Sequence, residues 1–211
     1  IHATPSVKYL GLTIDQYLNG DEMARGIIKK VNSRLKFLYR QANFLDQNIK
    51  KILCSALVLC LFDYSISSWY GGVLAQMSKS LQIAQNKVIR FILSKEAKYH
   101  ITTDDYKALN FLNIHNRAKQ LRLNHVFDVF NELGPEYLRS HFTRVSSVHQ
   151  YSTRNSVQKF KVPKSTTIIS GSFYYNAIRD WASLPTEIKS IPNKPNFKKS
   201  VKTHLLNQIS C

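Results

Sequence analysis

Eleven consecutive residues, Ile52 to Phe62 (ILCSALVLCLF), carry no charge and form the longest apolar run in the chain. A membrane span needs about 20 such residues, so this run predicts a helix buried in a core. Asp46 or Gln47 starts that helix, and it runs to about Trp69, where Gly71-Gly72 closes it. Cys54 and Cys60 fall inside the run, where a reduced thiol behaves as a small hydrophobe. With Cys211 the cysteine count is odd, and no C-x-x-C spacing occurs. This usage fits a reducing compartment. The histidines do not cluster with cysteines or acids, so no metal site is expected. No signal peptide is present, and Ile1 is not an initiator methionine; the first residues read like the interior of a longer protein.

Around that run the pattern is helical. Val7 to Ile14 is short and β-rich, between Pro5 and Asn19-Gly20, and predicts one strand. Asp21 then caps a helix to about Gln41, with Ile27, Ile28, Val31, Leu35 and Leu38 at helical spacing. Ser78 opens another through Leu93, its apolar face Leu81, Ala84, Val88, Phe91 and Ile92, with Lys79, Lys87 and Arg90 among its polar positions. Asp104 to Leu109 is a short helix. Asn113 to Leu133 is a long one stopped by Gly134-Pro135, and Glu136 to Phe142 adds a turn or two. Residues 143–171 change character to Ser, Thr, Val and isolated basic residues. They predict a loop with short strands near Val157–Val162 and Thr166–Ile169. Ser172 caps a helix through Trp181, and Asn196 caps a last one to about Asn207. The fold class expected is mainly α.

Charge narrows the partners. The chain has 30 Lys+Arg against 13 Asp+Glu, a net +17 over 211 residues. A domain this basic usually answers a polyanion, most commonly nucleic acid, the other reading being a solvated basic surface or a ribosome-like scaffold. At 100° per residue, Arg25, Lys29, Lys36 and Arg40 fall within about 60° of one another, more than a right angle from the apolar stripe. They form a basic ridge, read either as a phosphate contact or as a solvated face. Arg154, Lys159, Lys161 and Lys164 lie on a loop or hairpin edge. There, nucleic-acid contact and protection of a strand edge by charge both stay open. Tyr64, Trp69 and Tyr70 are arranged like a base-stacking platform, but core packing is the expected role, as it is for Trp181 with Phe173.

Four stretches resemble the LINE-type (non-LTR) retrotransposon reverse transcriptases, particularly jockey-like elements, across nearly the whole chain. Lys8-Tyr9-Leu10-Gly11 with Leu12-Thr13-Ile14-Asp15 is similar to the Y-L-G primer-grip turn ending the palm. Asp63-Tyr64, Trp69-Tyr70-Gly71, Gln85-Asn86-Lys87 and Arg90 resemble the thumb pattern. Leu109-Asn110-Phe111-Leu112, Asn116-Arg117 and Leu133-Gly134-Pro135-Glu136-Tyr137-Leu138 resemble the region after it. Thr153-Arg154, Val162-Pro163, Ser172-Phe173, Trp181 with Leu184-Pro185, Phe197-Lys198-Lys199, Lys202 and Leu205 resemble the C-terminal signature. Asp180-Trp181-Ala182 departs from it, standing where the family commonly has a Trp-Asn pair.

The resemblance implies four parts: 1–18 the end of the palm, 19–95 a helical thumb, 96–142 a connecting helical region, and 143–211 a basic C-terminal module with a small β element. It implies that Tyr9, Leu10 and Gly11 hold a primer end. It also implies that Arg25, Lys29, Lys36 and Arg40, with Arg154, Lys159 and Lys161, contact an RNA template, an RNA–DNA hybrid or a DNA duplex. The partners implied are nucleic acid and the upstream palm and fingers of the same polyprotein, with no membrane. The setting implied is intracellular, in nucleus and cytoplasm.

Reverse transcription needs paired carboxylates holding two magnesium ions, which the family supplies from an aromatic-x-Asp-Asp turn upstream. The Asp-Asp pair here, Asp104-Asp105, precedes a helix and reads as a cap. The resemblance therefore implies a fragment with no catalytic residue and no cofactor of its own. Magnesium belongs to the parent polymerase, and this chain is expected to be inactive alone. A second class stays open: a non-enzymatic basic RNA- or DNA-binding protein, a relic of such an element.

Overall fold

A computed structural model of the chain describes residues 4–145 and 160–209. Among the described residues helix makes up 65% and strand 5%, with one two-stranded antiparallel sheet, so the fold is mainly α with a small β element.

The expected single N-terminal strand is a hairpin. Strands β1 (Ser6–Tyr9) and β2 (Leu12–Asp15) pair with Tyr9 opposite Leu12. Leu10 and Gly11 form the two-residue turn, with φ of 46° and 80°. Two positive φ values are the mark of a type I′ turn, whose twist matches the strands it joins. Asp15 then organises the exit, its carboxylate accepting the amides of Tyr17 (3.0 Å), Asn19 (3.3 Å) and Gly20 (3.1 Å). Helix α1 (Asp21–Tyr39) follows. Gly20, not Asp21, occupies the cap position with φ 78°, and Asn19 accepts the Asp21 amide. Asp21 is buried and accepts the Leu74 amide at 3.1 Å, tying the start of α1 to a segment 53 residues away.

The apolar run does not form one buried helix. It is α2 (Gln47–Cys54), a π-helical turn (Ser55–Leu59) and α3 (Cys60–Asp63). Left-handed Ser65 breaks the chain before α4 (Ile66–Trp69) and a 3-10 turn (Tyr70–Gly72). By length and composition Gln47–Gly72 is apolar enough to cross a membrane, yet only 28% of its most apolar window is buried. Cys54, Val58, Phe62 and Ile66 face the core, while Ile52 is 66% exposed and Leu57 and Cys60 are also exposed. The two thiols therefore differ. Burial pushes Cys54 up to about 12, partly offset by the nearby Lys50. The π turn widens the helix, and Arg34 of α1 donates to the Leu57 carbonyl there.

Helix α5 (Ala75–Ile92) starts three residues before the expected Ser78 and packs along α1 with Leu81, Ala84, Val88, Phe91 and Ile92 buried. Helix α6 (Thr103–Leu109) is capped by a reciprocal pair: Thr102 accepts the Asp105 amide, and Asp105 accepts the Thr102 amide at 2.8 Å. Helix α7 (Ile114–Phe130) is capped by Asn113 and ends earlier than Leu133. Left-handed Glu132 turns the chain so that Leu133 donates to the Asp128 carbonyl at 2.8 Å, before Gly134-Pro135 is reached. A turn of helix, α8 (Glu136–Arg139), follows.

The expected strand at Thr166–Ile169 is instead helix α9 (Thr167–Gly171), with Thr166 accepting the Ile169 amide. The cap outweighs β-branched propensity. Of the expected strand at 157–162, residues 157–159 lie outside the described residues. Phe160 makes an isolated antiparallel bridge to Arg144, and Lys161 and Val162 are irregular. Helix α10 (Phe173–Ala182) is capped by Ser172 as expected. After α11 (Thr186–Lys189), helix α12 (Lys194–Asn207) is capped by Asn193 rather than Asn196, with Pro195 in its first turn.

One apolar cluster runs from Met23 to Ile209, so the N- and C-terminal halves share a core. Trp181 is fully buried, with Phe130 at 5.2 Å and Phe197 at 6.0 Å between ring centroids. The halves also meet at backbone. A Cβ on Gly71 would lie 2.5 Å from the Gly171 carbonyl oxygen, and one on Gly171 would lie 2.8 Å from the Gly72 Cα. Glycine is required there because two backbones touch. Gly71→Ala should therefore lose roughly 1–3 kcal/mol. By contrast Gly26→Ala, with open space at its Cβ in exposed α1, should gain about 0.5–1 kcal/mol. Chemical denaturation of both variants checks this; equal effects would contradict the tight junction.

Candidate nucleic-acid interface

The hairpin delivers Tyr9 and Leu10 to its exposed tip, Leu10 being 75% exposed. From across the chain, the Tyr64 hydroxyl donates to the Leu10 carbonyl. A Cβ on Gly11 would lie 2.9 Å from that hydroxyl, so Gly11 leaves room for the brace. Tyr64 is thus not core, contrary to expectation. It stands between the end of α3 and the left-handed Ser65, and the Tyr64 carbonyl accepts the Trp69 indole N–H at 3.0 Å. Trp69 and Tyr70 are buried as expected. This brings residues of the Y-L-G turn and of the Asp63-Tyr64 stretch together.

On α1 the core positions are Met23, Ala24, Ile27, Val31, Leu35 and Leu38, and Arg25, Lys29, Lys36 and Arg40 are all exposed on the other side. Arg25 pairs with Glu22 and borders a hollow at the hairpin base with Pro5, Ser6 and Tyr17. Its charge is partly spent on that pair. Lys29, Lys36 and Arg40 make no ion pair with a described residue.

Lys36 faces further cations. A groove of about 510 Å³ runs between α1 and the C-terminal end of α5, lined by Lys36 and Tyr39 on one side and Lys87, Arg90 and Lys95 on the other. No carboxylate lines it among the described residues. Each of these three facing cations is held in place by a neutral group. Lys87 donates to Asn32 at 3.3 Å, and Arg90 donates to the Tyr99 carbonyl at 2.7 Å. Lys95 sits over the Tyr99 ring, 4.8 Å from its centroid. Neutral acceptors fix the side chains without cancelling their charge. Burial raises the Tyr39 hydroxyl pKa, against a smaller lowering from Arg90, so the ring is a neutral wall of the groove.

Sequence periodicity places Lys87 and Arg90 on α5 but not against Lys36, because helix pairing is not written in either helix alone. Lys95 joins them because Ser94 is left-handed (φ 53°) and the Lys95 amide returns to the Arg90 carbonyl at 2.9 Å. A Leu-Ser-Lys sequence carries no glycine to signal that turn.

The C-terminal candidates do not join this surface on the described residues. Lys161 is exposed beyond the Phe160 bridge, its amide donating to Thr143 at 2.8 Å, while Arg154 and Lys159 lie outside the described residues. Asp104 and Asp105 sit at the start of α6, with Asp105 occupied by the cap. Among the described residues no group of three His, Cys, Asp or Glu is placed to hold a metal ion.

Removing the Tyr64 hydroxyl tests the hairpin brace. Tyr64→Phe deletes one hydrogen bond worth about 0.5–1.5 kcal/mol, so amides of residues 9–12 should exchange roughly three- to tenfold faster. Unchanged hydrogen exchange there would mean the turn stands without the brace.

The chain matches no protein-family model, no curated protein and no solved structure.

Proposed function

We propose that the chain grips nucleic-acid backbone as the thumb and C-terminal region of a LINE-type reverse transcriptase. In this reading it positions template and primer for carboxylates and magnesium carried by the upstream palm and fingers. The observation that carries the proposal is the groove in which Lys36 of α1 meets Lys87 and Arg90 of α5 and Lys95 just beyond its end, with no acid lining it among the described residues. Lys29 and Arg40 continue the line of charge along α1, and the hairpin tip with Tyr9, Leu10 and Gly11 precedes it directly in the chain.

The chemistry follows from the donors. Lysine and arginine side chains on a helix meet phosphate oxygens, which position a duplex but carry no base information. An RNA–DNA hybrid is taken by shape and backbone for the same reason. Affinity is therefore salt-dependent and indifferent to sequence. Primer extension by the chain alone is not expected, because no paired metal-binding carboxylates are available for it.

Fluorescence anisotropy on two unrelated RNA–DNA hybrids across a salt series tests the grip. Every phosphate that a substitution leaves without its cation flattens the log–log salt slope by about 0.9. Lys29→Ala with Lys36→Ala should weaken both hybrids equally and flatten the slope by roughly two units, and Lys87→Ala by roughly one. Lys198→Ala with Lys199→Ala, two exposed charges on α12, should do neither. An equal effect of the α12 pair would reduce the binding to diffuse attraction by a +17 protein.

A further inference from the structure

A second cationic site lies away from the α1–α5 groove and shares no lining residue with it. It is a pocket of about 250 Å³ where four distant segments meet: the π turn with α3, α5 through Gln85, the loop entering α7 together with α7 itself, and α12. Leu59, Phe62, Phe111 and Leu112 give it apolar walls.

Its charges are arranged asymmetrically. Arg117 of α7 is clamped by Asp63, its Nε and Nη2 donating to the two carboxylate oxygens at 2.8 and 2.7 Å, and its Nη1 donates to Gln120 at 2.7 Å. Lys202 of α12 lines the same pocket, and its ammonium has no acceptor among the described residues. Lys51 stands over the Phe111 ring, 5.6 Å from its centroid. Desolvation first, then the charges of Arg117 and Lys51, hold the Lys202 pKa below the usual lysine value. Two cations, Arg117 and Lys202, line the pocket against one carboxylate, Asp63, and Lys51 adds a third positive charge from outside the lining, over the Phe111 ring. An ammonium kept partly out of water beside two other cations is destabilised unless an anion joins it.

We propose that this pocket binds a phosphate monoester attached to a planar or apolar group, the chemistry of a mononucleotide or of the 5′ end of a nucleic-acid strand. A monoester carries about −1.5 to −2 at neutral pH, enough to answer Lys202 and the nearby Lys51 together, whereas an internal phosphodiester or a carboxylate brings only about one negative charge. Lys202 supplies a mobile point charge, and the clamped guanidinium a fixed one. The walls of Phe111, Phe62 and Leu59 take the base or sugar. Binding would return Lys202 toward its ordinary pKa and lock α12 onto α3 and α7.

The experiment uses the full chain with adenosine monophosphate, adenosine, and matched oligonucleotides with a 5′ phosphate or a 5′ hydroxyl. Calorimetry should show heat with the monophosphate and none with adenosine. Lys202→Gln should weaken the monophosphate by about tenfold, a change of about 1.4 kcal/mol, without lowering Tm. A preference for the 5′-phosphorylated oligonucleotide that Lys202→Gln removes assigns the strand end as ligand. Equal binding of the two oligonucleotides, with the monophosphate still Lys202-dependent, assigns the free mononucleotide. No monophosphate binding at about 1 mM, where a site as weak as −4.1 kcal/mol would be half filled, overturns the proposal. Binding unchanged by Lys202→Gln overturns it as well. The Lys29→Ala, Lys36→Ala chain should bind the monophosphate normally, so failure of the duplex grip and failure of this pocket are separable.

Discussion

A guanidinium taken into a protein interior must bring a counter-charge with it, and in this fold one such pair fixes the rest. Arg122, near the middle of α7, is 3% exposed at its side chain, and its Nε donates to Asp180 of α10 at 2.7 Å. Removing one partner of a buried pair typically costs about 3–5 kcal/mol, so α10 and its neighbour Trp181 are bound to α7. The same helix reaches two more segments through polar groups: Asn116 donates to the Leu205 carbonyl at 3.0 Å, and Arg117 is clamped to Asp63. A helix that ties three elements by polar side chains, with Asn116 and Arg122 buried and Arg117 half-buried, cannot keep a clean polar face. The Asp180-Trp181 sequence, which departs from the LINE-type pattern the chain resembles, has a physical role here, because the carboxylate is what Arg122 needs.

That central tie sets the frame in which the cationic surface stands. The Gly71–Gly171 contact closes the two halves at backbone distance, and Asp21 with Leu74 fixes the start of α1 beside the start of α5. With α1 and α5 packed through Val31, Leu35, Val88 and Ile92, Lys36, Lys87, Arg90 and Lys95 are held across a groove rather than spread on a mobile surface. Like charges held close repel, so the arrangement is stabilised by anything that brings phosphate into it. At physiological salt charges more than about 8 Å apart are largely screened. Local convergence therefore matters more to the proposed grip than the total charge.

The regular parts are legible in the sequence because single-helix periodicity is local. The stripes of α1 and α5, the caps Asn113 and Ser172, and the exposed face bearing Lys29 and Lys36 follow from spacing alone. What escapes such a reading depends on contacts between segments. The Leu10-Gly11 turn has no Asn-Gly signal, and the Y-L-G resemblance is its only sign. The apolar run predicts a buried helix, but a π turn and the left-handed Ser65 rotate part of it outward. Thr166–Ile169 looks like a strand until the threonine cap and the glycine junction are considered together. The groove is half visible: spacing puts Lys36 on α1 and Lys87 and Arg90 on α5, but only the pairing of two helices and the return at Ser94 place them together.

Lysine footprinting is the most direct test of the phosphate grip. The chain is acetylated at limiting reagent with and without an RNA–DNA hybrid, and each lysine is quantified by mass spectrometry. Lys29, Lys36, Lys87 and Lys95 should be protected together by the hybrid, while Lys198 and Lys199 keep their free reactivity. Protection spread evenly over all six lysines, or confined to the α12 pair, would contradict the assignment of α1 and α5 as the nucleic-acid surface.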